Sequence, residues 1–298
     1  MLGIGGGGDV VGALGAAIHC RSLGVPSVVG GVTWERRPID PQPGPRRLDE
    51  IAEPVRRLSD CAVLAGPGTR TSQGARFAEA RMAGHLGTET VLVAIDRGPA
   101  AIADGLAEAA AAVGADLLLF VDVGGDVLSD GTEPGLASPL CDAVMLAAGA
   151  LLQRRGLRVA GAVFGPCCDG ELTPEELLDQ LARVAAGGGL LGARAIDPAM
   201  ADELAAAADA VPTEASAQAI RCARGEIGTA TIRNGRRTAP LSPLGATIFY
   251  FDPLAAIEST ARLARELLPA TSLEEANELL HGLGVRSELD YERALAEQ

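Results

Sequence analysis

Residues 1–15 of the chain read MLGIGGGGDVVGALG. A short apolar start runs into four consecutive glycines, and Asp9 opens a second apolar stretch directly after them. This order is typical of a strand, a tight turn and a helix whose N-terminus faces the turn. Free backbone N–H groups and the helix dipole attract an anion at such a turn, and glycines let a phosphate reach the main chain. The stretch therefore predicts a phosphate site formed by Gly5, Gly6, Gly7 and Gly8.

Strand-length and helix-length patterns alternate along the following sequence. Strands are predicted at 2–4, 27–32, 61–65, 90–95, 116–121 and 158–164. Helices are predicted at about 9–23, 48–58, 73–85, 99–113 and 138–155, and another opens at TPEE with Thr173 as N-cap and Glu176 completing a capping box. Apolar strands that alternate with helices indicate a mostly parallel sheet covered on both faces. We expect an α/β fold, a Rossmann-like three-layer α/β/α arrangement.

The pattern changes after residue 187. GEIGTATIRNGRRTAPL (225–241) alternates as a β-hairpin around a two-residue Asn234–Gly235 turn, and ATIFYF (246–251) predicts another strand. Two or three helices are predicted in 253–298. We expect a first domain over 1–190 and a smaller C-terminal α+β portion over 191–298 packed on the same sheet, with one continuous domain as the alternative. The proline-rich segment 37–47 is predicted to be a surface loop, long enough to serve as a lid or an edge contact.

Composition excludes several classes of protein. The formal charge of −14 repels nucleic acid and anionic lipid, so neither partner is expected. All 25 basic residues are arginine, and a chain without lysine has no pyridoxal phosphate Schiff base and no Walker-type P-loop. The six cysteines form no CxxC pair, and no signal peptide or membrane-length apolar run is found. We expect a cytoplasmic protein, and the pattern leaves a homo-oligomer open.

Acidic residues follow several predicted strands. In open α/β sheets, ligands bind at the carboxyl ends of the strands, and Mg²⁺ is typically held by one or two carboxylates and by substrate phosphates. The same acids would also suit sugar hydroxyls, a cationic substrate group, or caps and turns. Asp122 and Asp126 are the predicted Mg²⁺ ligands. The predicted catalytic acids are Asp9, Asp122, Asp126 and Asp169, and neighbouring candidates for substrate binding are Gly125, Glu133, Gly170 and Glu171.

Other predicted substrate contacts lie after the second and third strands. TWERR (33–37) offers Trp34, Glu35 and Arg36, and the indole would stack on a base or pack at the core edge. AGPGTRTSQG (65–74) offers Gly68, Thr69, Arg70 and Thr71 for a phosphate or carboxylate. NAD and FAD are disfavoured, because the second strand ends in glycines and Glu35 comes several residues late for a ribose contact.

Four stretches together resemble a known family: GIGGGGDVVGA, VGGVTWERRPIDPQPGP, DVGGDVLSDGTEPGLASPLCDA and GPCCDGEL. They are similar to an uncharacterised archaeal and actinobacterial family called domain of unknown function 1152. The similarity covers most of residues 1 to about 255, and the first and third stretches are the most specific. The family has no established reaction, so no catalytic residue is carried over from it.

These observations favour an enzyme that binds a phosphorylated small molecule, a nucleotide or sugar phosphate, beside an acidic, Mg²⁺-binding centre. The expected chemistry is metal-assisted group transfer or hydrolysis. One alternative is a non-catalytic nucleotide-binding or regulatory protein. Another is a racemase-like proton-transfer enzyme that uses Cys167 and Cys168, which follow the sixth strand.

Overall fold

A nine-stranded sheet forms the centre of the molecule. The computed structural model describes residues 1–297. The strands of this sheet are β1 (Leu2–Gly3), β2 (Gly30–Val32), β4 (Arg56–Arg57), β5 (Ala62–Ala65), β7 (Thr90–Val93), β8 (Leu118–Val123), β9 (Val159–Phe164), β10 (Leu190–Ala195) and β13 (Thr247–Phe251). Two small sheets pair β3 (Ile51–Ala52) with β6 (Arg70–Thr71), and β11 (Gly228–Ile232) with β12 (Arg237–Leu241).

Helices cover both faces of the central sheet. They are α1 (Asp9–Ser22), α2 (Ala78–Leu86), α3 (Pro99–Val113), α4 (Pro139–Arg154), α5 (Pro174–Ala186), α6 (Pro198–Ala210), α7 (Ala215–Ala223), α8 (Pro253–Ser259), α9 (Arg262–Leu267), α10 (Leu273–Gly282) and α11 (Glu288–Ala296). Helices α1, α6 and α7 belong to the core on one face, and α3, α4 and α8 to α10 belong to the core on the other. No helix within residues 1–297 is long and apolar enough to cross a bilayer.

The strand order is β10-β13-β9-β8-β1-β2-β7-β5-β4. The five strands from β9 to β7 are parallel neighbours, whereas β13 runs antiparallel to β9 and β5 runs antiparallel to β7. The predicted α/β class with a mostly parallel sheet, flanking helices and a C-terminal hairpin is confirmed. From β1 the chain proceeds to β2 and β7 on one side, and then returns to β8 on the other. The topological switch point, where such folds bind ligands, therefore lies between β1 and β8.

Helix α1 packs closely on the sheet because two of its residues are glycines. A Cβ atom at Gly12 would lie 2.6 Å from Cγ2 of Val123, and one at Gly15 would lie 2.6 Å from Cε2 of Phe164. Larger residues at these positions would push the helix away from β8 and β9. The spacing VVGALG thus fixes the height of the N-terminus of α1 above the strand ends.

Several local predictions are corrected. The helix predicted at 48–58 is a short 3-10 turn followed by β3 and β4, because Pro54 interrupts the stretch and has no N–H to donate. Helix α2 begins at Ala78 instead of residue 73, after a turn in which Gly74 has φ +96°. The β11–β12 hairpin has a four-residue connection, 233–236, instead of a two-residue turn. Four helices, α8 to α11, occupy 253–296, and the sequence reading missed β10, α6 and α7.

The capping box of α5 is confirmed. Oγ1 of Thr173 accepts from the amide of Glu176, whose carboxylate accepts from the amide of Thr173. The division of the chain at residue 190 stays a prediction. Strand β13, from the C-terminal portion, lies between β9 and β10 in the central sheet.

Candidate functional site

A cavity of about 340 Å³ opens at the switch point between β1 and β8. The predicted site residues that line it are Gly5, Gly6, Gly7, Gly8, Asp9, Glu35, Arg36, Asp122, Asp126, Asp169 and Glu171. Segments that are distant in sequence complete the wall with Asp142, Thr213, Glu214 and Arg233, among others. The structure therefore brings together the glycine loop and all four acids predicted to be catalytic.

One group of three carboxylates lies where β1 and β8 end. One oxygen from each of Asp9, Asp122 and Asp142 lies within 4.8 Å of the other two. Asp122 is the penultimate residue of β8, and its Oδ2 accepts from the amides of Gly125 at 2.9 Å and Val127 at 3.3 Å. Asp142 is only 2% exposed, and its Oδ1 has no hydrogen-bond partner among the described residues. Such an unpartnered buried oxygen indicates that a cation or a proton belongs there.

A second group of three carboxylates adjoins the first. Asp126, Asp169 and Glu171 each place an oxygen within 4.8 Å of the others. Asp169 is 5% exposed, and its Oδ1 also lacks a partner in residues 1–297. Glu171 is well satisfied, because it accepts from the amides of Ala137 and Ser138 and pairs with Arg237 at 2.5 Å. The predicted Mg²⁺ ligands Asp122 and Asp126 thus fall in different groups.

Burial and mutual repulsion act on these acids together. Burial raises the pKa of Asp9 to about 7, against hydrogen bonding from Gly5 and the charge of Arg36. The pKa of Asp169 also rises to about 7, first through burial and then through the charge of Glu171. Burial, followed by neighbouring carboxylates, raises the pKa values of Asp122, Asp126 and Asp142 well above the ordinary range. The centre therefore binds protons near neutral pH when no cation is present.

Part of the glycine loop forms hydrogen bonds and close contacts with other groups of the protein. The amide of Gly5 donates to Oδ2 of Asp9 at 3.0 Å, and that of Gly7 donates to the carbonyl of Trp34 at 2.9 Å. A Cβ atom at Gly8 would lie 2.5 Å from Cβ of Thr213. Two of the four glycine amides are therefore occupied internally, which leaves less of the loop for a phosphate than the sequence predicts.

Arginines supply the positive charge of the cavity. Arg36, Arg37 and Arg233 line it, against eight acidic side chains. Arg36 donates to the carbonyl of Gly5 at 2.6 Å and approaches Glu288 and Glu292 at 3.4 and 3.5 Å. Arg233 lies at the start of the hairpin connection, 3.6 Å from Glu214. The acidic side chains of the cavity therefore outnumber its arginines.

The two residues before Arg36 differ in their surroundings. Trp34 is fully buried, and its Nε1 donates to Oε2 of Glu292 at 2.9 Å, so the indole packs in the core and does not line the cavity. Glu35 lines the cavity and accepts from the amide of Ala78 at 2.5 Å, while its Oε2 has no partner in the described chain. Burial raises the pKa of Glu35 to about 7.

The loop that contains Gly68, Thr69, Arg70 and Thr71 lies at the other end of the strands, away from the carboxyl ends of the parallel strands. Because β5 is antiparallel to β7, Ala65 at its end pairs with Thr90 at the start of β7. There Oγ1 of Thr69 donates to the carbonyl of Glu53, and Arg70 pairs with the carboxylate of Glu53. This loop therefore lies apart from the glycine loop, and its predicted contact with a phosphate or carboxylate stays a prediction.

Three further predicted contacts shape the loops around the cavity without lining it. Gly125 has φ +120°, which lets the chain turn between Asp122 and Asp126. Glu133 accepts from the amides of Asp130 and Gly131 and from Gln180. Gly170, with φ +73°, packs on the hairpin, where a Cβ atom would lie 2.6 Å from the carbonyl oxygen of Thr238.

Sequence reasoning missed Asp142, a central acid of the site. Its signal is an acid in the first turn of PLCDAVMLAAGALL, a helix whose other residues in this stretch are apolar or glycine. Cys167 and Cys168, the cysteines of the proton-transfer alternative, are fully buried, and no cysteine lines the cavity in the described part of the chain. Burial raises the pKa of Cys167, and a hydrogen bond with Cys222 raises that of Cys168.

The fold and the cavity define an α/β protein with a buried carboxylate centre at its switch point. A family model described as protein of unknown function (DUF1152) matches residues 1–296, so the chain belongs to this family. The predicted resemblance is confirmed, and the match extends further along the chain than about residue 255. Neither the curated proteins nor the solved structures include a match.

Proposed function

We propose that the protein is a metal-dependent enzyme that acts on a phosphorylated small molecule by group transfer or hydrolysis. Asp9, Asp122 and Asp142 hold a divalent cation such as Mg²⁺. The observation that carries this proposal is the unpartnered Oδ1 of Asp142, buried beside two further carboxylates at the switch point. Oxygen ligands of this kind suit Mg²⁺, which binds through a few carboxylates together with substrate oxygens.

The arginines indicate an anionic substrate. Arg36 and Arg37 line the cavity from one segment of the chain, and Arg233 lines it from another. A phosphate alone would meet eight acidic side chains there, so it binds when a cation neutralises part of their charge. The bound cation supplies charge stabilisation at a phosphoryl oxygen. The arginines orient the same group through charge-assisted hydrogen bonds.

Glu35 is the proton carrier of the proposed reaction. It lines the cavity, and its pKa of about 7 lets it both accept and donate a proton near neutral pH. A non-catalytic binding or regulatory protein would need the cation group and the arginines but not this side chain. Substitution of Glu35 therefore separates the two functions.

The first experiment is a thermal-shift screen of nucleotides and sugar phosphates with and without Mg²⁺. We expect stabilisation by Mg²⁺ alone and a larger shift when a phosphorylated ligand is added. Asp142→Asn should raise the melting temperature in chelator, because it removes a repelling carboxylate, and should abolish the Mg²⁺ shift. Asp116→Asn is the matched control, since the Asp116 side chain is 87% exposed and lies outside the cavity. If Mg²⁺ and Mn²⁺ leave the wild-type melting temperature unchanged at millimolar concentration, the proposal is wrong.

Turnover then distinguishes catalysis from binding. For any ligand found in the screen, Glu35→Gln should lower turnover by about a hundredfold, the scale expected for an acid–base group. Ligand affinity should stay within about tenfold, or ~1.4 kcal/mol. A ligand that binds with Mg²⁺ but is never converted by the wild type would instead support the regulatory alternative.

A further inference from the structure

We infer that the cavity holds two divalent cations, the second bound by Asp126 and Asp169 beside the group of Asp9, Asp122 and Asp142. This inference rests on the proposed function, because it concerns the same cavity and names its metal stoichiometry.

The first argument is that each group contains its own unpartnered oxygen. Oδ1 of Asp142 lies in one group and Oδ1 of Asp169 in the other, and both residues are more than nine-tenths buried. A single cation bound among Asp9, Asp122 and Asp142 would satisfy the first oxygen and leave the second bare. A buried, unsatisfied carboxylate oxygen is unfavourable, so the second group takes up a proton or a cation of its own, and we assign it the cation.

The second argument is that Asp122 connects the two groups. Oδ2 of Asp122 accepts from the amide of Gly125 at 2.9 Å, and a Cβ atom at the adjacent Gly124 would collide with Cγ of Asp169 in the second group. Gly124 and Gly125, with φ +129° and +120°, turn the chain so that Asp126 returns to the same cavity. In two-metal enzymes, cations about 3.5–4 Å apart clamp the attacking and leaving oxygens of a phosphoryl group.

The two cations bind with different affinities. Glu171 already accepts from two amides and pairs with Arg237, so it has little capacity left as a ligand. The guanidinium of Arg237 also repels a cation bound nearby. The second cation therefore depends on Asp126, Asp169 and solvent, and binds more weakly than the first.

The test is a Mn²⁺ titration of the full chain, followed by electron paramagnetic resonance and calorimetry. We expect two Mn²⁺ per chain, one tight and one at least tenfold weaker, with magnetic coupling between them when both are bound. Asp126→Asn and Asp169→Asn should each retain the tight ion and lose the weak one and the coupling. Asp142→Asn should lose the tight ion, and Asp116→Asn should keep both.

The outcomes separate the two proposals. One uncoupled Mn²⁺ per chain overturns the second site and leaves the proposed function intact. No Mn²⁺ overturns both. Two uncoupled ions, the weaker of which still binds to both Asp126→Asn and Asp169→Asn, place the second ion outside the cavity and also overturn the inference. Because the wild-type stoichiometry decides the main point, the test does not depend on every variant folding.

Discussion

The amide of Gly5 donates a hydrogen bond to Oδ2 of Asp9 at 3.0 Å, which ties the first acid of α1 to the loop before it. A Cβ atom at position 5 would lie 2.6 Å from that oxygen and 3.1 Å from Oδ2 of Asp142. Glycine is therefore required here by two carboxylates of the protein itself. The loop encloses the acidic centre at the same time as it faces the cavity.

Gly5→Ala tests this relationship. The new methyl group displaces Asp9 and Asp142, so we expect a loss of about 1–3 kcal/mol of unfolding free energy and at least tenfold weaker Mn²⁺ binding. Gly24→Ala is the control, because Gly24 has φ +75° but nothing lies within 4 Å of its would-be Cβ. It should cost about 1–2 kcal/mol through backbone strain alone. Denaturant titration and Mn²⁺ calorimetry measure both effects; unchanged Mn²⁺ affinity in Gly5→Ala would contradict the assignment.

The metal-free protein should lose stability as the pH rises from about 4 to about 7. The pKa values of Asp9 and Asp169 rise from 3.8 to about 7 on folding, so the folded state binds more protons than the unfolded state in this window. Stability then falls with increasing pH and stays low above pH 7. Asp290, whose pKa is lowered to about 2, acts in the opposite direction only below about pH 4.

Urea denaturation in chelator across this pH range measures the slope of the unfolding free energy against pH. Asp169→Asn should reduce it, and saturating Mg²⁺ should reverse it, because metal binding competes with protons for the same oxygens. A flat profile that Asp169→Asn does not alter would show that these carboxyls are not protonated in the folded protein.

The Glu79→Gln variant should become more stable relative to the wild type as the pH rises. Glu79 is 1% exposed, its Oε2 lacks a partner in the described residues, and its pKa is raised by burial and then by the charge of Glu35. Each pH unit between the unfolded and folded pKa adds a penalty of about 1.4 kcal/mol to the wild type, which glutamine does not bear. The difference in unfolding free energy between variant and wild type should increase from pH 5 to pH 8. The exposed Glu89→Gln is the control and should give no such trend.

Arg237→Gln should destabilise the metal-free protein and increase the affinity of the weaker cation site. It leaves Glu171, whose side chain is 1% exposed, without its 2.5 Å ion pair, and we expect a loss of about 1–3 kcal/mol. Mn²⁺ should restore part of this loss by replacing the missing charge. Arg158→Gln, at a side chain that is 72% exposed, serves as the control. Weaker binding of both Mn²⁺ ions in Arg237→Gln would show that the arginine positions the carboxylates instead of competing with the cations.

The sequence predicted the acids at the ends of β1, β8 and β9 because parallel strands end at a common edge. It did not predict that the loop after β5 lies away from this edge, since a four-residue apolar strand does not encode its own direction. The run AVLA suits a parallel or an antiparallel neighbour equally well, and only its pairing with β7 puts Gly68 to Thr71 at the far edge.

Asp142 escaped prediction for a different reason. The sequence shows that Asp142 is an acid on a buried helix. Whether it reaches the other carboxylates of the cavity depends on where α4 begins relative to β1. That placement arises from packing between distant segments: the amides of Leu140 and Cys141 donate to Glu288 of α11, at 3.0 and 2.9 Å. Local pattern and propensity carry no information on such a contact.

The position of β13 between β9 and β10 imposes an order on assembly. In the central sheet β10 pairs with β13, so it has no strand to join until residues 247–251 have paired with β9. More than fifty residues must be made and brought back before β10 can be fixed. The pairing of Phe251 with Gly161 closes a long loop, which slows the formation of this part of the sheet. During synthesis, LLGARA would thus emerge as an unpaired, apolar strand edge, a segment on which a chaperone or a second nascent chain could act before the native partner arrives.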